Sequence, residues 1–297
     1  MNRKKGLIIK LTGGWYTVIE EDTHERFACR ARGVFRHQDV SPKVGDHVFF
    51  DVLDHQNGYI MEVLPRRNNL TRPYIANVDK ALLVFSVKKP DFNSNLLDRF
   101  LAVIEFNDIE TVILFNKIDL LNDDDTKSIE IIRHYYESIG YKTLMTSIKS
   151  FEIGVLTKEI QGHVCVVSGQ SGVGKSSLLN AMDITLNIKT DEISEALGRG
   201  KHTTRHVELI PMEGGWIADT PGFGLLEFTG MTTVDLSHSF REFFKVGKDC
   251  RFHGCIHENE PGCAVKKAVE KGDILNSRYE NYLSFLGEIQ AQTKNKY

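Results

Sequence analysis

With 297 residues, 41% of them apolar and 26% charged, the chain has the composition of ordinary globular protein and room for two or three domains. Nowhere does it approach the ~18 consecutive apolar residues of a membrane helix, and Met1-Asn2-Arg3-Lys4-Lys5-Gly6 lacks the apolar run of a secretory signal, so a cytoplasmic protein with no membrane partner is expected. A net charge of −3 argues for no partner by itself, although residues 1–72 hold 12 Lys+Arg against 9 Asp+Glu, which permits a nucleic-acid surface there.

Residues 1 to about 65 read as short strands cut by turn signals. Runs 6–11 and 15–19 flank Gly13-Gly14, run 26–32 alternates basic and apolar residues, and runs 46–50 and 59–64 follow. These strands predict a small β-barrel of the oligonucleotide-binding (OB) type, with Pro65-Arg66-Arg67-Asn68-Asn69 as its exit linker. From Lys80 the pattern changes to near-continuous apolar runs at 81–87, 111–115 and 164–168, suited to buried parallel strands. Leu97, Leu101 and Ile104, then Ile129, Ile132 and Tyr136, fall at helical spacing between them, so a doubly wound α/β domain ending near Leu226 is expected.

That α/β region carries the chemistry. Asn116-Lys117-Ile118-Asp119 follows an apolar strand. The Asp119 carboxylate can accept from both N–H groups on guanine's Watson–Crick edge, Lys117 can lie along the base plane, and Asn116 can tie the loop to its neighbours. Adenine offers no such donor pair. Thr146-Ser147-Ile148-Lys149 follows a further short strand and reads as a second base clamp, Ser147 and Ile148 contributing through a backbone N–H. Gly169-Gln170-Ser171-Gly172-Val173-Gly174-Lys175-Ser176 then matches the phosphate-loop template, between a strand and a helical run that Ser177 opens. Its glycines turn backbone N–H groups onto phosphate oxygens, Lys175 places a charge on the β/γ-phosphates, and the Ser176 hydroxyl ligates Mg²⁺; Ser177 is counted with the same contacts.

In Gly198-Arg199-Gly200-Lys201-His202-Thr203-Thr204-Arg205, either Thr203 or Thr204 can close on Mg²⁺ and the γ-phosphate. Asp219-Thr220-Pro221-Gly222 ends another apolar strand, with Asp219 placed to reach Mg²⁺ and Gly222 to offer its N–H to the γ-phosphate. The next residue is Phe223, where many such enzymes carry a water-orienting glutamine. Slow intrinsic hydrolysis is therefore expected, with the missing group supplied by a partner or by a residue of the preceding loop, His202 being the nearest candidate. The order of motifs is the unusual part: the base-reading motif precedes the phosphate loop, so the core is circularly permuted.

A helix is expected around Val234, Leu236, Phe240 and Phe243, another near 264–269 and a last one from Asp273. On the last, Leu275, Tyr279, Tyr282, Leu286 and Ile289 form a stripe that should pack within its own domain. Between these helices, Cys250-x4-Cys255-x-His257-x5-Cys263 supplies three thiolates and an imidazole, enough to close one tetrahedral structural Zn²⁺ site, with His253 the competing imidazole. Cys29 and Cys165 sit in apolar runs and read as core thiols.

Together with Arg72-Pro73-Tyr74-Ile75-Ala76-Asn77-Val78-Asp79, these motifs resemble the RsgA family of circularly permuted, ribosome-dependent GTPases. The resemblance implies an OB-fold β-barrel over 1–68, a circularly permuted GTPase domain over 69–228 and a zinc-binding helical domain over 229–297. It also implies GTP/GDP, Mg²⁺ (on Ser176, Thr204 and Asp219) and one Zn²⁺. The small (30S) ribosomal subunit and its rRNA would be the partners, and a monomer is expected. Ile148 is a small departure in the base clamp. A competing reading is a zinc-containing RNA-binding protein with a regulatory nucleotide site and negligible turnover; an ATP-using P-loop kinase conflicts with Asp119. Because the chain runs from Asp219–Gly222 almost directly into the metal segment, a γ-phosphate-dependent shift is expected to pass to the C-terminal surface, while the barrel enters beside the base-reading half.

Overall fold

The computed structural model describes residues 3–36, 40–54, 56–71, 73–148, 153–182, 207–219 and 227–294. In chain order the elements are β1 (Arg3–Thr12), β2 (Trp15–Glu20), β3 (Arg26–Ala31), β4 (His47–Val52), β5 (Asn57–Val63), β6 (Lys80–Ser86), α1 (Ser94–Phe106), β7 (Glu110–Asn116), α2 (Asp123–Ser138) and β8 (Lys142–Thr146). There follow α3 (Ile153–Ile160), β9 (Val164–Ser168), α4 (Lys175–Met182), β10 (Glu208–Met212), β11 (Gly215–Asp219), α5 (Thr233–His238), α6 (Arg241–Gly247), α7 (Ala264–Lys271) and α8 (Asn276–Lys294). They gather into two compact units, Met1–Leu82 with Phe151–Gly224 and Leu83–Ser150 with Leu225–Tyr297.

In the first unit the five predicted strands close into a barrel in the order β1-β2-β3-β5-β4 and back to β1, antiparallel except for the parallel β3–β5 pair. Period-two alternation drives the closure: Ile8, Val18, Phe27, Cys29, Phe50 and Ile60 turn inward and are buried. Burial also pushes the Cys29 thiol up to about 12, as a core cysteine requires. The segment expected as a linker is a hydrogen-bonded clasp. Arg66 donates to the fully buried Asp46 at 2.7 and 2.8 Å, and the Asn68 side chain exchanges two bonds with the Val78 backbone at 2.8 and 2.9 Å. Gly45, at φ 85°, lets the barrel approach this clasp; a Cβ there would lie 2.0 Å from the Ala76 carbonyl oxygen. Beyond the clasp, β11 runs parallel to β9 and antiparallel to β10. The sequence reading did not anticipate β10, whose Pro211 removes a ladder donor and argues against a strand.

In the second unit β7 and β8 pair in parallel, flanked by α1 and α2 where helical periodicity placed them. The helix expected over 234–243 is two helices. Ser239 Oγ donates to the Asp235 carbonyl and Phe240 turns extended at φ −101°, ψ 102°, so the chain breaks between α5 and α6 while Phe240 stays fully buried. The last helix starts at Asn276, because Gly272 in the left-handed region ends α7 and both Asp273 and Ile274 donate back to the Ala268 carbonyl. Its stripe packs as expected: Tyr282, Leu286 and Ile289 are buried with Phe228, Phe240 and Phe243, in a core that also takes in Ala102 of α1. Alongside it Arg278, 1% exposed, donates to Asp98 and to Glu242 at 2.6 Å each, and Asp98 accepts in addition from Tyr136 at 2.6 Å and Asn281 at 2.7 Å. That network binds α1 and α2 to α6 and α8.

Candidate nucleotide and metal sites

The base-reading loop belongs to the second unit and is built from polar side chains. β7 ends on the fully buried Asn116, whose Oδ1 accepts from Thr146 Oγ1 at 3.0 Å; the two residues stand in register across the β7–β8 pair. The Asn116 carbonyl accepts from the Val87 amide at 3.0 Å. Lys117 then turns left-handed, φ 66° and ψ 35°, a conformation costing roughly 1–2 kcal/mol for a residue with a Cβ. Its ammonium donates to the Lys89 carbonyl, and burial pulls its pKa below the usual lysine value, against the opposing charge of Asp119. Asp119 accepts from Ser147 Oγ at 2.7 Å, and Ser147 is itself 1% exposed. A buried hydroxyl thus aims the carboxylate, while the Ile148 side chain beside it is 52% exposed. Sequence reading missed Thr146; its signal was register, a hydroxyl ending the strand parallel to the one that ends in Asn116.

The phosphate loop belongs to the first unit and is built from backbone. β9 is buried throughout, and beyond it Gly169, Gly172 and Gly174 take φ values of 146°, 78° and 97°, which side chains rarely tolerate. Val173, 1% exposed, pins the loop to the core, whereas Gln170, Ser171 and Gly172 are exposed. Lys175 opens α4 with its Nζ donating to the carbonyls of Gly169 and Gln170, each at 2.8 Å, and burial lowers its pKa. Ser176 is buried and Ser177 half-buried in the first turn of α4. Asp219 ends β11 opposite Glu208, at the same strand end from which β9 leads into the loop. His202, Thr203, Thr204, Gly222 and Phe223 lie outside the described residues.

The predicted metal ligands converge. One ligand atom from each of Cys250, Cys255, His257 and Cys263 lies within 4.8 Å of every other. Cys250 Sγ is 3.9 Å from Cys263 Sγ and 3.7 Å from His257 Nδ1, and Cys263 Sγ is 3.4 Å from the same nitrogen. These separations fit the edges of a tetrahedron around a cation with bonds of ~2.0–2.3 Å. The chemistry of the set agrees: the Ala264 amide at the start of α7 donates to Cys250 Sγ at 3.3 Å, and burial favours neutral His257, the form that ligates. Burial and the neighbouring cysteines push the Cys255 thiol up to about 12, so a thiolate there calls for a cation. Tyr279 and Tyr282 hold the ligand loop by donating to the carbonyls of His257 and Ile256 at 2.7 and 2.5 Å, and Glu260 accepts from the amides of Ile256 and Glu258 at 2.7 and 2.9 Å. His253 is exposed and outside the cluster.

A phosphate loop after one parallel strand, an acidic strand end beside it, and a guanine-type loop placed earlier in the chain define a circularly permuted P-loop GTPase carrying an OB barrel. Comparison with known proteins narrows this class. The model of the RsgA GTPase matches residues 63–229 and that of the RsgA N-terminal domain residues 5–60. A small ribosomal subunit biogenesis GTPase RsgA of Halalkalibacterium halodurans is 49% identical over 294 residues, 99% of either chain. Among solved structures, YloQ, described as a circularly permuted GTPase, aligns with a TM-score of 0.85 at 41% identity over 98% of this chain and 96% of its own. YjeQ from Thermotoga maritima aligns with the same score at 38% identity over 97% and 99%. The chain belongs to the RsgA GTPase family.

Proposed function

We propose that this GTPase acts in late maturation of the small (30S) ribosomal subunit, engaging the subunit and its rRNA with GTP bound and leaving once GTP is hydrolysed to GDP and phosphate. The observation that carries the reading is the full-length likeness, 49% identity over 99% of both chains, to a GTPase named for that process. Asp119, aimed by Ser147, reads the guanine edge, with Asn116 and Lys117 holding the loop and Ile148 offering its backbone N–H. Residues Gly169 to Ser177 cradle the phosphates. Ser176, buried at the start of α4, fits the Mg²⁺ position of the phosphate-loop template and would hold the ion with Asp219 and one of Thr203 or Thr204. When bound, that ion supplies charge stabilisation on the β/γ-phosphate oxygens.

With Phe223 unable to orient water, His202 and the Gly222 N–H complete the hydrolytic set when the subunit is bound. One structural Zn²⁺ is held by Cys250, Cys255, His257 and Cys263. The functional parts run 1–68, 69–228 and 229–297, in a cytoplasmic monomer. GTP turnover with and without small subunits tests the reading: strong stimulation is expected, and its absence overturns it in favour of a regulatory nucleotide site. His202→Ala is expected to lose the stimulated rate; unchanged stimulation removes His202 from the mechanism.

A further inference from the structure

The strand that ends in Asp219 is tied to the barrel at one point. β10 and β11 form an antiparallel hairpin, with Glu208 opposite Asp219 at its open end and Met212 opposite Gly215 beside the turn. Glu208 is also the Cα partner of Lys10 on β1, and among the described residues this is the one pair that joins those two strands. Lys10, Glu208 and Asp219 therefore stand side by side on three adjacent strands. The Lys10 ammonium donates to the Glu208 carboxylate at 2.5 Å. A bulge prepares that contact: Ile8 pairs with Val18 and Lys10 with Thr17, so Ile9 is an extra residue on β1. An extra residue bends a strand and re-aims the side chains beyond it.

The two ends of the hairpin are held differently. At the turn, where Glu213 and Gly214 take φ values of 50° and 78°, the hairpin is locked to the chain that enters β9. The Gly162 amide donates to the Gly214 carbonyl at 2.9 Å and the Trp216 amide to the His163 carbonyl at 2.8 Å. A Cβ on Gly215 would lie 2.0 Å from the Ile160 carbonyl oxygen, so that end has no room to shift. On its barrel side a cleft of about 470 Å³ separates Ile19, His24 and Arg26 from Pro211, Met212 and Trp216. Strand pairing with the barrel is thus confined to the open end. There the segments expected to sense the nucleotide join the sheet: the run with Thr203 and Thr204 reaches Glu208 within five residues, and Gly222 lies three residues beyond Asp219.

Like charges at directly opposed positions of an antiparallel pair repel, and an opposite charge beside one of them offsets the repulsion. Glu208 is opposed to Asp219, and Lys10 supplies the offsetting charge from the barrel. We infer that Lys10 and Glu208 are positioning residues for GTP hydrolysis: their ion pair fixes the strand end that carries Asp219, so the barrel sets the hydrolytic rate without touching the nucleotide. The inference rests on the reading of Asp219 as a holder of Mg²⁺. Both side chains of the pair are 43% exposed, and ion pairs so exposed add little to stability. Its role is therefore separable from holding the fold together.

Basal GTP turnover of the full chain, with kcat and KM measured separately, tests the pair. Lys10→Ala leaves Glu208 charged against Asp219 and is expected to lower kcat roughly two- to fivefold, the size of a cross-strand charge pair. KM for GTP should not change, because the phosphate and base loops are untouched. Glu208→Gln, neutral and of the same shape, should lower kcat less, and Lys10→Ala added to it should cost little more, since Lys10 acts through the Glu208 charge. Lys10→Arg should recover most of the rate. Arg3→Ala, which breaks the Arg3–Asp51 pair elsewhere on β1, should behave as wild type. Wild-type kcat in Lys10→Ala, a loss carried by KM alone, or an equal loss in Arg3→Ala overturns the inference, as does a urea melt of Lys10→Ala whose drop in stability accounts for the drop in kcat. Asp219→Asn separates the two ideas: wild-type turnover there sinks the Mg²⁺ reading, whereas a large loss there beside a wild-type Lys10→Ala sinks the positioning pair alone.

Discussion

The phosphate loop of the first unit takes its shape from glycine backbone and one buried lysine, whereas the base-reading loop of the second is held by buried side chains, Thr146 on Asn116 and Ser147 on Asp119. The contrast follows the ligand chemistry. Phosphate oxygens accept from any N–H, so a loop that only presents amides suffices, while reading one base requires a carboxylate fixed in direction. The units also attach their outlying segments differently. The barrel is clasped within the first unit, beside the phosphate half, through Arg66, Asp46 and Asn68, and the C-terminal helices are bound within the second, to the base half, through Arg278. The grouping is the same on the larger scale: residues 1–82 cluster with 151–224, and residues 225–297 with 83–150.

The largest effect that could break this comparison is metal removal. Structural zinc sites couple on the order of 10 kcal/mol of binding to folding, so, if the four ligands hold the Zn²⁺ proposed for them, a strong chelator or Cys263→Ser is expected to melt the segment around 250–263 in the second unit and leave the barrel intact. Both tryptophans belong to the first unit, so their fluorescence should not change while α-helical circular dichroism falls. Retained helix content in a metal-free protein would show that the cluster is not structural. Arg278→Ala comes next. Removing one partner of a buried ion pair costs ~3–5 kcal/mol, because Asp98 and Glu242 are left charged and unpaired, while Arg278→Met should cost less. Urea melts by circular dichroism should show the loss; an equal shift by tryptophan fluorescence would mean that the two units unfold as one.

A more specific break concerns the base. Asp119→Asn replaces an acceptor with a donor, losing charge-assisted hydrogen bonds of ~1.5–3 kcal/mol, or roughly ten- to a hundredfold in GTP affinity. Xanthosine nucleotides, which present a carbonyl where guanine has its amino group, should gain in the same variant. Lys175→Ala should weaken both nucleotides equally. Titration of each nucleotide into both variants decides; a loss of discrimination on Lys175→Ala would deny the division of labour between the loops.

Much of this was legible in the sequence because it is local. The Gly-x4-Gly-Lys-Ser loop, the Asn-Lys-x-Asp loop and the Cys/His cluster each announce their residue types within a few positions, and barrel strands show as alternation. Three things stayed hidden for physical reasons. Pro211 disguised β10 as a loop, since a proline in a strand is tolerable only where its missing donor is not needed. The break between α5 and α6 left no gap in the apolar pattern, because Phe240 is buried whether or not its backbone is helical. Arg278, Asp98 and Glu242 look like surface charges on separate helices; only the fold reveals that they neutralise one another in the interior.

The smallest expected effect lies in the clasp of the first unit. Lys43 is 5% exposed, donates from Nζ to Asn69 Oδ1 at 2.6 Å and the Leu70 carbonyl at 3.1 Å, and sits 3.9 Å from the centroid of the Tyr74 ring. Burial, and then the neighbouring Arg66 charge, pull its ammonium down to about 8. In the unfolded chain a lysine titrates near ~10.4. Between those values the unfolded state binds more protons than the folded one, so stability should rise with pH across that window. Arg278 offers no such handle, because its guanidinium stays charged throughout. Tryptophan-monitored urea melts from pH 8 upward should show the rise, and Lys43→Met should flatten it. Stability that is level or falling over the same window would mean that the Lys43 ammonium is as well solvated in the clasp as in water, contrary to its burial.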